Sequence, residues 1–231
     1  MSFDDNSAAI VLLAWERRLG FGDGTLSTGL ERHVRHDDGA TSVSFLRLFG
    51  RSALVGPGWA VEAAAGLDDD ELADHSTLLR LTREHGGHGL GTAALYFADD
   101  LPLVQPSGDL SVSRDPAHAL ALQGLCPPDD ANEFGLPKLK HSYTVMLDGG
   151  PVACGAFTEW QGIVARLGVL VAPPRRGAGL GKLAGAIAAH EALASGLVLQ
   201  WRADVSNAAA NATAHSLGFL RAGTQTSVLL G

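Results

Sequence analysis

The residues best suited to chemistry lie in one run, Pro173-Pro174-Arg175-Arg176-Gly177-Ala178-Gly179-Leu180-Gly181-Lys182, between an apolar segment and an Ala-rich one. Its glycines allow a sharp turn and a close backbone approach to a ligand. If a helix follows, its first N–H groups and positive dipole end attract phosphate oxygens, and Arg175, Arg176 and Lys182 add to that field. The run therefore predicts an anionic, phosphate-bearing ligand, against the plainer reading of a Gly-rich strand-to-helix turn that binds nothing.

Phosphate motifs compete for this run. A P-loop fails, because Arg176 stands where its first Gly belongs and Leu183 replaces the magnesium-binding Ser or Thr. The dinucleotide fingerprint is a rival: Gly179, Gly181 and Ala184 fit Gly-x-Gly-x-x-Ala, and Asp204 falls near the place of a ribose-binding acid. That motif, however, enters its glycines directly from the strand, and too little chain follows Asp204 to complete its sheet.

Read as Arg-x-x-Gly-x-Gly, Arg176, Gly179 and Gly181 resemble the acetyl-CoA loop of the GNAT superfamily of N-acetyltransferases. Two further features carry the resemblance: residues 167–171 followed by Pro173, and Asn207, Ala210 and Leu217-Gly218-Phe219. It covers residues 109–231. It implies a mixed central sheet of the GNAT type flanked by helices, an α/β (α+β) fold, and transfer of an acetyl group from acetyl-CoA to an amine of a small molecule or protein. In that family the strand before the loop pairs with the pantetheine arm, which assigns Val169, Leu170 and Val171. The loop Arg176, Gly177, Ala178, Gly179, Leu180, Gly181 and Lys182 would hold the pyrophosphate, and Asn207 the pantetheine, unless Asn207 is only a helix N-cap.

Acyl transfer needs a base for the amine and often an acid for the departing thiolate. The family commonly supplies the acid as a Tyr seven residues after the Asn, where this chain has Ala214. His215 is the nearest substitute, with Ser216 beside it. Glu159, at a strand end, is the candidate base, with Glu133 second. The missing Tyr keeps open a non-catalytic acyl-CoA-binding or sensor protein as the alternative function.

The elements that must position these residues are legible in part. Apolar periodicity predicts a helix over 7–19, strands over 41–49 and 52–55, a helix over 68–84 opened by three aspartates, and a strand over 92–98. Residues 99–108, with two prolines, are the expected boundary between a lobe at 1–105, an added or degenerate GNAT-like unit, and a GNAT domain at 106–231. The second half predicts a strand at 110–113, helices opening at Asp115-Pro116 and after Pro127-Pro128, and a hairpin of 143–147 and 152–159. A strand over 163–171, the loop, a long helix, a strand over 198–203, a helix from Asn207 and a last strand over 225–230 follow.

Composition narrows the class. Hydrophobic residues make up 46% of the 231, enough for a sizeable core. The net charge of −8 resides wholly in residues 1–105, with 8 arginines against 16 acidic residues, which disfavours nucleic acid as partner. The apolar run 8–15 is too short for a bilayer, and Asp4 and Asp5 stand where a signal peptide is basic. A cytoplasmic protein without membrane partner is expected. Cys126 and Cys154 form neither a disulfide framework nor a metal-ligand set, so no metal is expected. The last strand, with its Val-Leu-Leu, suggests a homodimer by strand pairing.

Overall fold

The computed structural model describes residues 3–105, 109–135 and 140–231. Positions 106–108 of the expected boundary lie outside the described residues. The elements run α1 (Asp5–Leu19), β1 (His33–His36), β2 (Ser42–Leu48), β3 (Arg51–Gly56), α2 (Gly58–Ala63), α3 (Asp69–Ala73), α4 (His75–Thr82) and β4 (His88–Ala98). They continue with β5 (Ser111–Ser113), α5 (Pro116–Gly124), α6 (Pro128–Phe134), β6 (His141–Leu147), β7 (Gly150–Trp160), β8 (Val164–Val171), α7 (Leu180–Ala194), β9 (Val198–Asp204), α8 (Ala208–Leu217) and β10 (Leu220–Leu229). The fold is mixed α/β, with helices flanking sheet, as the sequence predicts.

Two compact units form, and they do not follow a cut at residue 105. One consists mainly of Phe97–Trp201 and Ala212–Leu220; the other holds Asp5–Tyr96, Arg202–Asn211 and Arg221–Gly231. In the first, the strand order is β9-β8-β7-β6-β5, with β9 represented by its start. β5 to β8 are antiparallel and β8 runs parallel to β9. Asp148 and Gly149, both at positive φ, make the two-residue turn between β6 and β7 whose hand matches strand twist. One face of this sheet carries α7, with Leu180, Leu183 and Ala184 against Val145, Val152 and Ala153. The other carries α5 and α6, with Ala119, Leu122 and Phe134 against Cys154, Ala156 and Leu170.

In the second unit β1 pairs parallel with β3, β3 antiparallel with β2, and β2 antiparallel with β10 over Gly223–Leu229. Its core gathers Val43, Phe45, Leu54, Val61, Leu72, Leu78 and Val228. The expected pairing of the last strand between two copies is corrected here. β10 lies between β2 and β4 of its own chain, so both of its edges are taken.

The helix predicted over 68–84 is two helices. Asp68 and Glu71 form a capping box on α3, and the Asp74 carboxylate accepts from the Ser76 and Thr77 N–H groups and so opens α4. A short carboxylate side chain that bonds its own downstream backbone interrupts a helix in this way. β1 and α2 are absent from the sequence reading: His-Val-Arg-His shows no sustained apolar alternation, and a six-residue helix is shorter than periodicity can register.

Candidate functional site

The Gly-rich run does lead from strand to helix. Val171 ends β8, 173–179 are exposed, and α7 starts at Leu180. Gly179 is the N-cap at φ 77°, a conformation that favours glycine, and no side chain caps the helix. The first-turn N–H groups of α7 are therefore left for an external acceptor, at the positive end of a 15-residue helix. Gly181 is tight as well, since a Cβ there would lie 3.3 Å from the Val171 side chain.

The edge of β8 is the second component. Ala172 donates its N–H to Val152 O of β7, so by strand alternation Val169 and Val171 turn their N–H and C=O groups to the opposite edge. Recorded pairing with β9 on that edge covers Val164–Leu167. At Val171 the carbonyl instead accepts from the Arg176 side chain (Nε, 3.4 Å) and from Cys126 Sγ (3.7 Å). Side chains rather than a strand close this stretch of edge. Leu167, Gly168, Val169 and Val171 are partly exposed, although they belong to an interior strand of the unit.

Arg176 folds back from the loop, with its side chain still 48% exposed. Its Nη2 donates to Asp130 Oδ2 of α6 at 2.5 Å while its Nε reaches Val171. Burial pushes the Cys126 thiol above its ordinary value, Arg176 opposes the rise, and Asp130 adds to it. Cys154 is fully buried with a thiol raised chiefly by burial, and neither cysteine forms a disulfide. Among the described residues no cluster of His, Cys, Asp and Glu fits a metal, and no helix is long and apolar enough to cross a membrane.

Val169, Leu170, Val171 and the loop Arg176–Lys182 thus come together in the first unit. Leu170 alone of these strand residues turns to the α5–α6 face, where it is buried. Asn207 belongs to the second unit; its Oδ1 accepts from the Ala210 N–H at 3.0 Å, an N-cap for α8. Glu159 is exposed, and its register partner is Ala165, at the far end of β8 from the loop. By alternation it shares the α7 face with Gly155, whose Cα lies against Ala184. Glu133 is exposed on α6, His215 and Ser216 are exposed near the end of α8, and Ala214 is fully buried. The sequence reading missed Asp130 and Cys126, whose relation to the loop depends on where α5 and α6 pack.

Residues 114–219 match the model of the acetyltransferase (GNAT) family. The C-terminal half of this chain carries a GNAT acetyltransferase domain. The match includes β8, the loop, α7, β9 and α8. A GCN5-related N-acetyltransferase from Kribbella flavida is similar at 23% identity and a TM-score of 0.51, over 66% of this chain and 63% of that one. A Drosophila protein is 13% identical with a TM-score of 0.51, over 67% of this chain and 56% of that one. A GNAT-family acetyltransferase from Novosphingobium aromaticivorans is 23% identical with a TM-score of 0.47, over 63% and 68%. The chain thus spans less than two-thirds of the Kribbella and Drosophila proteins, and at these identities the likeness concerns the GNAT fold alone. A search of curated proteins returns no match.

Proposed function

We propose that the chain is an acetyl-CoA-dependent N-acetyltransferase. The observation that carries the proposal is the side-by-side placement of an uncapped helix N-terminus behind the Gly loop and a β8 edge whose Val169 and Val171 backbone groups are not paired by a strand. The two features match the two ends of one ligand, since pyrophosphate oxygens suit the N–H groups of 177–182 and pantetheine amides suit the strand edge. Arg176 would exchange Asp130 for phosphate. The family resemblance assigns Asn207 to the pantetheine, and its Oδ1 caps α8.

Acetyl-CoA supplies an acyl group on a thioester. The acceptor's amine nitrogen attacks the carbonyl carbon, the C–N bond forms, the C–S bond breaks, and the thiolate leaves with the electron pair. The amine's N–H proton passes to a base, for which Glu159 stays the proposed side chain acting through water, and His215 the proposed proton donor to the thiolate. The Ala214 methyl, buried where the family's Tyr is expected, favours one competing reading, an acyl-CoA-binding sensor.

Thermal unfolding with acetyl-CoA tests the binding. At 100 times Kd a ligand adds about 2.7 kcal/mol of stability, several degrees in a chain of this length. No shift at millimolar acetyl-CoA overturns the proposal, and a shift from NAD without one from CoA revives the dinucleotide reading. Thiol release over a panel of amines then separates enzyme from sensor, because a sensor binds without turnover.

A further inference from the structure

The face of β7, β8 and β9 opposite α7 holds polar groups that neither the loop nor the β8 edge uses. Arg166 and Gln200 are register partners across the parallel β8–β9 pair, so their side chains leave the sheet on the same face. Trp201, next along β9, points the other way and meets α7, where a Cβ on Gly185 would lie 3.4 Å from its ring. Gly168, two residues after Arg166, contributes no side chain to this face.

Gln200 is 1% exposed, and among the described residues neither its Oε1 nor its Nε2 has a hydrogen-bond partner. A buried primary amide left in that state lowers stability unless a ligand or water bonds it, and an apolar residue of the same size would suit Val198-Leu199-Gln200-Trp201 better. Arg166 is partly exposed, and its guanidinium carbon lies 4.0 Å from the centroid of the Trp160 ring. Stacking on an indole holds a guanidinium by its flat face, while its N–H donors lie in the plane, the arrangement that suits a carboxylate.

We propose that Arg166 and Gln200 recognise the acceptor and select an amine that also carries a carboxylate, such as an amino acid. This rests on the acyl-transfer reading above. The carboxylate accepts from the Arg166 guanidinium and the Gln200 Nε2, and the amine is presented to the thioester along β8. A cation at this point of the strand disfavours purely cationic acceptors such as polyamines. Arg166 and Gln200 are specificity residues and take no proton in the reaction.

The test uses the full chain, acetyl-CoA and matched pairs: tyrosine with tyramine, histidine with histamine, phenylalanine with phenethylamine. Thiol release gives kcat/KM for each. In wild type the carboxylated member of at least one pair is favoured by about tenfold or more, because a site built to bond a group rejects the analogue without it. Arg166→Met and Gln200→Leu should remove that preference by raising KM for the carboxylated amine, with the acetyl-CoA melting shift retained. Gln200→Leu should melt no lower than wild type, a result that a purely structural role for the amide does not give. If acetyl-CoA shifts melting while no carboxylated amine turns over, or while every pair runs within threefold, this assignment falls and the cofactor reading stands. Absence of any acetyl-CoA shift removes both. Variants that keep the wild-type preference also overturn it.

Discussion

Replacing Gly155 with alanine tests how the loop-bearing helix is seated. Gly155 lies in β7 between Tyr143 of β6 and Val169 of β8. A Cβ there would fall 1.9 Å from Ala184 O, 2.5 Å from Ala184 C and 3.1 Å from Ala188 Cβ. The first two are backbone atoms of α7 and cannot swing aside, so the helix must withdraw by about 1.5 Å to restore ordinary contact. Withdrawal loosens Leu180, Leu183 and Ala184 from Val145, Val152 and Ala153. Overpacking costs about 1–3 kcal/mol by itself, and a gap of this width forfeits much of the dispersion across the interface. The expected loss is about 3 kcal/mol, a large part of the 5–15 kcal/mol typical of a domain. Urea unfolding followed by Trp160 and Trp201 fluorescence measures it, with Trp15→Phe and Trp59→Phe introduced so that the signal reports the first unit. Acetyl-CoA affinity should fall in the same variant, because the first turn of α7 moves with the helix. Gly124→Ala is the control: its Cβ meets nothing within 4 Å, and the change should be neutral or stabilise by up to about 1 kcal/mol. A Gly155→Ala loss below about 0.5 kcal/mol, within the scatter of surface changes, refutes the packing argument.

Gly179→Val meets no atom within 4 Å but forces a β-branched residue to φ 77°, so it should cost about 1–2 kcal/mol and abolish the acetyl-CoA melting shift; a retained shift contradicts the loop's role. Cys126 should react slowly with iodoacetamide, its thiol being raised chiefly by burial, and more slowly still with acetyl-CoA bound, since its Sγ touches Val171 O; mass spectrometry should show no such protection at the fully buried Cys154, which stays unmodified throughout. The Ser206 hydroxyl and N–H hold the Asp204 carboxyl below its ordinary 3.8. That stability is complete above the ordinary value and disappears as pH falls through the depressed one, so the deficit of Ser206→Ala should be full at pH 6 and shrink in acid unfolding below about pH 4; a deficit independent of pH refutes the linkage. A chain cut to residues 106–231 should aggregate or fail to fold, because β10 loses β2 and β4 and exposes two strand edges; a monomeric, cooperatively melting fragment would be the contrary result.

What the sequence disclosed was whatever depends on local chemistry. Asp115-Pro116 marks a helix start because an aspartate accepts the Ala117 N–H and proline pre-sets the first helical φ, and α5 begins there. Asp148-Gly149 marks the β6–β7 turn for a similar local reason. The Gly loop was legible because its feature is a row of backbone N–H groups at an uncapped helix start, whose placement needs only glycine and that start. Long-range partners were not legible. That Arg176 turns to Asp130, 46 positions away, depends on α6 packing beside β8, and no spacing rule encodes it. The last strand reads as a candidate for intermolecular pairing because its apolar face is visible in sequence while its partner β2, some 180 residues earlier, is not.

Gln200 shows the limit from the other side. In sequence it is one polar residue in an apolar strand, and alternation alone would place it facing solvent. The structure buries it without a hydrogen-bond partner among the described residues and sets it level with Arg166. Local rules are expected to fail where function requires a group that folding disfavours. The loop obeys every local rule and is the site proposed for the phosphate-bearing end of acetyl-CoA. Gln200 breaks one, and the acceptor is the party to the reaction that the loop leaves undefined. On this argument the residues least explained by stability, a buried amide and a cation on the same face of two adjacent strands, carry the specificity that the family's motifs do not encode.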